Sequence, residues 1–210
     1  MAPEGGDVNN SRRRPDSLIR LARSTRRSSL EDAARRLYAR IVEQARCATF
    51  YAEGGVPDSL DGRFEMIALH CFLLLRRLKD DGPAQRLGQA VVDLMFDDMD
   101  SALREMGAGD LGVGRRVRRM AEGFRGRTAA YDRGLQAGGP ELVEAVRRNV
   151  YGTVAGEPPE CASMAAYVAR AARALEDQPV DRLMQGAVDF IAPEFVRRVP
   201  VDEARSARGR

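Results

Sequence analysis

The chain has 210 residues and a mass of 23.1 kDa, enough for one domain with a substantial core, and its 44% hydrophobic and 31% charged residues describe a soluble globular protein. The net charge of +3 hides an uneven distribution: residues 1–46 carry 11 Arg against 6 acids, residues 93–110 carry 6 acids against Arg104 alone, and residues 115–133 carry 7 Arg against Glu122 and Asp132. An acidic block between basic ones argues against a simple nucleic-acid binder, so no DNA partner is expected, and the longest near-continuous apolar stretch, Phe64 to Leu75, is shorter than the roughly 20 residues a membrane span requires.

Residues 1–30, rich in Gly, Asn, Ser and Arg, read as a flexible Arg-rich tail without a secretory signal. A helical domain is expected over residues 31–198, followed by a second flexible tail over 199–210. From Glu31 onward, Ala34, Leu37, Ile41, Ala45 and Ala48 recur at helical spacing until Gly54-Gly55. Asp61 is expected to N-cap the next helix, which runs to about Lys79. That helix is apolar almost all round (Phe64, Met66, Ile67, Leu69, Phe72, Leu73), which predicts a central position.

Pro83 starts another helix with the stripe Val91, Leu94, Met95, Met99, Leu103 and Met106. The run Gly107–Gly114 reads as a hinge before a second stripe, Val113, Val117, Met120, Phe124, Tyr131 and Leu135. Further stripes follow at Leu142–Val150, at Met164–Leu175 and, as a last short helix, at Leu183, Ala187, Val188 and Ile191. No run of four alternating apolar residues marks a strand. The expected fold is therefore all-α: a single-domain bundle of about seven helices.

The residues that could carry chemistry are few. His70 is the only histidine, and its i±3 and i±4 neighbours Met66, Ile67, Leu73 and Leu74 place it on an apolar face. It reads either as an axial haem ligand or proton carrier, or as a core histidine bonded to a carbonyl or carboxylate. Cys47, Cys71 and Cys161 lack CxxC spacing, which suits a reducing compartment and excludes a thiolate zinc site. Asp93, Asp97 and Asp100 can share one helix face. Such a group leaves open a magnesium-dependent helical isoprenoid-type enzyme, although that chemistry needs a second acidic motif and the sequence has none. A third reading is a basic protein that binds RNA or a lipid surface through residues 12–27 and 115–133. No GxSxG motif occurs, and Gly107–Gly114 follows a helix and brings no lysine, unlike a phosphate loop.

Two longer stretches are more specific. Tyr51-Ala52-Glu53-Gly54-Gly55-Val56-Pro57-Asp58-Ser59-Leu60-Asp61-Gly62-Arg63-Phe64, continuing through Leu69-His70-Cys71-Phe72-Leu73 to Arg76-Arg77-Leu78, resembles the ubiquinol–cytochrome c chaperone family. Asp98-Met99-Asp100, Leu103-Arg104-Glu105-Met106-Gly107 and Gly109-Asp110-Leu111-Gly112-Val113-Gly114 are similar to that family's second signature, and Tyr131-Asp132 and Asn149-Val150-Tyr151-Gly152 fit its later part.

The resemblance covers about Leu37 to Ile191. It implies a non-enzymatic assembly factor without a cofactor, which binds newly synthesised cytochrome b and assists its assembly into the bc1 complex. It also implies a small partner protein; the charge of the basic tails adds the expectation of contacts with the ribosome or a membrane surface. The expected setting is the bacterial cytoplasm, or the inner face of the cytoplasmic membrane. The candidates nominated for client or partner binding are Phe64, His70, Arg77, Asp98, Asp100, Arg104, Glu105, Asp110 and Arg118. The methionines Met66, Met95, Met99, Met106 and Met120 are read either as adaptable contact groups or as plain core.

Overall fold

A computed structural model describes residues 15–105, 110–156 and 158–195, with side chains from Ser29 onward except those of 110, 111 and 116. Its helices are α1 (Pro15–Ala45), α2 (Ala48–Ala52), α3 (Leu60–Leu78), α4 (Gly82–Glu105), α5 (Asp110–Ala137), α6 (Gly139–Asn149), α7 (Cys161–Glu176) and α8 (Val180–Met184). Among the described residues there is no strand, and the all-α expectation holds. The count exceeds the expected seven because the first stripe is cut at Arg46-Cys47 into α1 and the short α2.

Three boundaries differ from the sequence reading. Helix α1 begins at Pro15, so the backbone of residues 15–30 is helical where a tail was expected. Proline is well suited to a first helical turn, where its missing N–H has no partner to lose. The cap of α3 is Ser59 and not Asp61: its backbone is extended, and its hydroxyl accepts from Gly62 N at 3.1 Å. Asp61 falls inside the first turn, where its charge favours the positive end of the helix. The last expected helix stops at Met184, because Gly186 turns the chain with φ +80°, and a Cβ there would sit 2.9 Å from Ala33 Cα. Of the expected hinge, Gly112 and Gly114 belong to α5, while 107–109 lie outside the described residues, as do Met106, residues 1–14 and 196–210.

Helix α3 is the hub, as its all-round apolar character predicts. It packs on α1, α4, α5 and α7. Thirteen of its residues are buried, among them Phe64, Met66, Leu69, Phe72 and Leu74. They join Leu37 and Ile41 of α1, Leu87, Val91 and Met95 of α4, and Met164 and Val168 of α7 in one continuous core. Met66, Met95, Met99 and Met164 are thus core groups, and Met120 is half-buried. After α8, residues 185–195 form an irregular strap fixed by Arg36 to Gln185 O (2.8 Å), Gln178 to Asp189 O (2.7 Å) and Gln44 to Ile191 O (2.8 Å).

Candidate functional site

The nominated residues whose side chains are described divide between the interior and the surface. His70 is fully buried. Its Nδ1 lies 2.7 Å from the Met66 carbonyl oxygen, which can only accept, so Nδ1 carries the hydrogen. Its Nε2 lies 2.7 Å from the Tyr167 hydroxyl, which therefore donates to it, while that hydroxyl accepts from Gln44 Nε2 at 3.0 Å. Burial drives the imidazole down to about 4, so it is neutral near pH 7. Phe50, Phe190 and Tyr167 surround it with ring centroids 5.3–5.9 Å away. The core-histidine reading is the one the coordinates bear out: both nitrogens are engaged and no atom reaches the surface.

Phe64 is 3% exposed and lies under the Arg127 guanidinium, 5.6 Å from its ring centroid. Arg77 turns inward from the end of α3. Its Nε donates to Leu175 O at 3.0 Å and its Nη2 to Gln178 O at 2.7 Å, closing the end of α7. Next to Phe64, Glu65 is buried and takes a forked contact from Arg127 of α5, with Nε 2.7 and 2.9 Å from its two oxygens. Burial raises the Glu65 carboxyl above its ordinary range against the pull of that arginine.

The first signature is a structural joint between α2 and α3. The Tyr51 hydroxyl donates to Ala45 O at 2.8 Å, and the Tyr151 hydroxyl donates to Gly54 O. A Cβ on Gly54 would stand 2.7 Å from the Phe195 ring, and one on Gly62 would stand 2.0 Å from the Pro57 carbonyl oxygen. Glycine is required at both places by close approach.

The second signature is split: Met99, Leu103 and Val113 are buried, while its described charged side chains lie toward the surface. Asp98 accepts from the Tyr38 hydroxyl at 2.7 Å, tying α4 to α1. Asp100 receives Arg104 Nε at 2.6 Å along the same helix. Glu105 and Arg118 are exposed, on α4 and α5 respectively. The Asp110 side chain lies outside the described residues. Among the described residues no three His, Cys, Asp or Glu side chains gather as a metal site would require. No described helix is long and apolar enough to cross a membrane.

The feature that sequence periodicity missed is a groove of about 470 Å³ between α4 and α5, closed at one end by the last turn of α3. Leu75, Val92, Phe96 and Phe124 form its apolar wall, and the Phe96 and Phe124 rings meet edge to face at 6.0 Å. Leu75, Val92 and Phe96 are only half-buried. Lys79, Gln85, Asp93 and Arg125 supply a polar rim. An apolar trough with a charged edge fits an amphipathic or apolar helix. Val92 and Phe96 lie outside the main stripe of α4, and that departure was the available signal.

A family model described as ubiquinol-cytochrome C chaperone matches residues 52–190, a span that includes the groove, His70, the second signature and all of the first but Tyr51. The chain belongs to the ubiquinol–cytochrome c chaperone family. Among curated members, ubiquinol-cytochrome-c reductase complex assembly factor 1 of Xenopus laevis is 27% identical over 74% of this chain and 79% of its own length. The Homo sapiens protein of that name is 24% identical over 75% of this chain, which spans about half of that longer relative (54%). The crystal structure of the Cbp3 homolog from Brucella abortus superposes with a TM-score of 0.73 at 34% identity, covering 83% of this chain and 97% of that one. The helical architecture is thus shared with that solved Cbp3 homolog.

Proposed function

We propose that the chain is an assembly chaperone of the bc1 complex, one that binds newly synthesised cytochrome b and shelters its apolar segments. The match over residues 52–190 carries this reading, because that span contains every residue lining the α4–α5 groove. Its relatives carry the name assembly factor, and the groove offers a half-buried apolar seat of the kind an unfinished membrane protein needs. The work proposed is recognition and not bond-making. Its place is the cytoplasm beside the inner face of the membrane, with a small partner protein. The basic N-terminal stretch, whose residues 15–30 lie in α1, and the C-terminal tail meet the ribosome or anionic lipid.

Deleting the gene tests this. Assembled bc1 complex should fall while transcripts of its subunits stay unchanged, and a tagged copy should recover cytochrome b from translating cells. Normal bc1 levels in the deletion strain overturn the reading.

A further inference from the structure

Helix α4 has an apolar depression on each side. On one side lies the α4–α5 groove just described. On the other, a cavity of about 340 Å³ between α1 and α4 is floored by Leu30, Ala34, Ala90 and Leu94 and edged by Asp93 and Asp97. Asp93 borders both depressions, so the row Gln89, Asp93, Asp97, spaced four residues apart, is the ridge between them. All three residues are exposed. The Gln89 amide donates to Asp93 at 2.7 Å but brings no charge, and among the described residues neither Asp93 nor Asp97 lies in ion-pair reach of an arginine. Arg35, the cation at this edge, lies 3.7 Å from Glu31 and 3.9 Å from Asp32.

The ridge therefore keeps its negative charge between two greasy troughs. Helices that span a membrane carry the matching pattern: an apolar stretch followed, on the cytoplasmic side, by Lys and Arg. Long cationic side chains lay their methylene stems on apolar surface while the charged head reaches a polar one.

We propose that Asp93 and Asp97 read the orientation of the client. Its apolar segment lies in the α4–α5 groove, and the Lys/Arg cluster that flanks it crosses α4 to the two carboxylates, its stems on Ala90 and Leu94. This inference rests on the chaperone reading and adds to it the chemistry of the client's end. It accounts for acids at a client surface in a chain whose overall charge is positive. A segment with acidic flanks, or one entering in reverse, would meet like charge on the ridge.

The test is recovery of cytochrome b, translated in vitro with the full-length tagged chain present. Compared are wild type, D93K/D97K, and D93K/D97K with a cytochrome b whose Lys and Arg residues beside the first spanning helix are changed to Glu. The double variant should recover about tenfold less client at low salt, and the charge-swapped client should restore it. The milder D93N/D97N should lose part of the recovery, which keeps the test valid if the reversal disturbs folding.

Equal recovery by wild type and both variants overturns this inference and leaves the chaperone reading standing. A loss that the swapped client does not restore also overturns it, as does a change of sedimenting mass in the variants, which would assign the ridge to a second copy of the chain. No recovery by wild type overturns the chaperone reading and this inference with it.

Discussion

The Tyr167 hydroxyl donates to Nε2 of His70 across 2.7 Å, joining α7 to α3 at the dry centre of the bundle. The same hydroxyl accepts from Gln44 of α1, whose amide also holds Ile191 of the C-terminal strap. One fully satisfied polar chain thus fastens three helices and the strap among apolar residues, where any broken link leaves a buried group without water.

Replacing Tyr167 by Phe keeps the ring and removes that link. Nε2 of His70 is left buried without a donor, and Gln44 keeps only Ile191 as acceptor. The expected loss is about 2 kcal/mol of unfolding free energy, measured as a lower denaturant midpoint at unchanged m-value.

The histidine also sets a pH dependence. In the unfolded chain it titrates near 6.5, and burial holds it at about 4 in the folded one. Between those values the unfolded chain binds a proton that the folded chain refuses, so stability falls as pH drops from about 6.5 to about 4. The contribution is full above that window, and its loss is complete below it, amounting to about 3 kcal/mol. Because His70 is the only histidine, His70→Leu should flatten the slope over this window, whatever its absolute stability. Denaturant midpoints for both proteins from pH 4 to 7 give the comparison.

Glu65 and Arg127 make a second test of buried polarity, with opposite logic. Burial lifts the Glu65 carboxyl, so the pair costs desolvation that its own attraction roughly returns. Arg127→Ala strands the carboxylate and should cost about 2 kcal/mol near neutral pH, less in acid, where Glu65 takes a proton. Adding Glu65→Leu should restore most of the loss. A double variant as unstable as Arg127→Ala alone would contradict this account.

What was legible in the sequence follows from what is local. The all-round apolar run of α3 could not lie on a surface, and that alone placed it centrally. The i±3 and i±4 neighbours of His70 likewise favoured a core site, and its carbonyl partner Met66 is one of them. Its other partner, Tyr167, is 97 residues away, and no spacing rule reaches that far. For the same reason Arg77 read as a contact residue, although its carbonyl partners lie at the end of α7. The α3 cap was misplaced by two residues because Ser59 and Asp61 have equally good capping oxygens, and the extended backbone falls at Ser59. The groove was hidden because α4, α5 and the end of α3 all contribute to it.

Two glycine substitutions separate close approach from mere flexibility. In Gly62→Ala the new Cβ meets the Pro57 carbonyl oxygen at 2.0 Å, so the joint before α3 must open. A loss of 2 kcal/mol or more, roughly the scale of an overpacked core site, is expected. Gly126, exposed in α5 with open space at its Cβ position, behaves in the other direction. Gly126→Ala should stabilise by about 1 kcal/mol through helix propensity. Thermal unfolding of the pair reads both signs.

Client binding and stability should come apart at Val92. This residue is half-buried on the groove wall, and a glutamate there can swing its carboxylate toward the open trough. Val92→Glu should cost about 1 kcal/mol or less, as a partly exposed apolar group does. Yet it places an unpaired charge where an apolar client segment must lie, a penalty of several kcal/mol for the bound state. The expected phenotype is a protein that folds and accumulates normally but restores little bc1 complex to the deletion strain. Ala129→Glu, exposed on the second half of α5 and away from the groove, adds the same charge and should restore it fully. If Val92→Glu supports wild-type bc1 levels, the client does not lie in this groove.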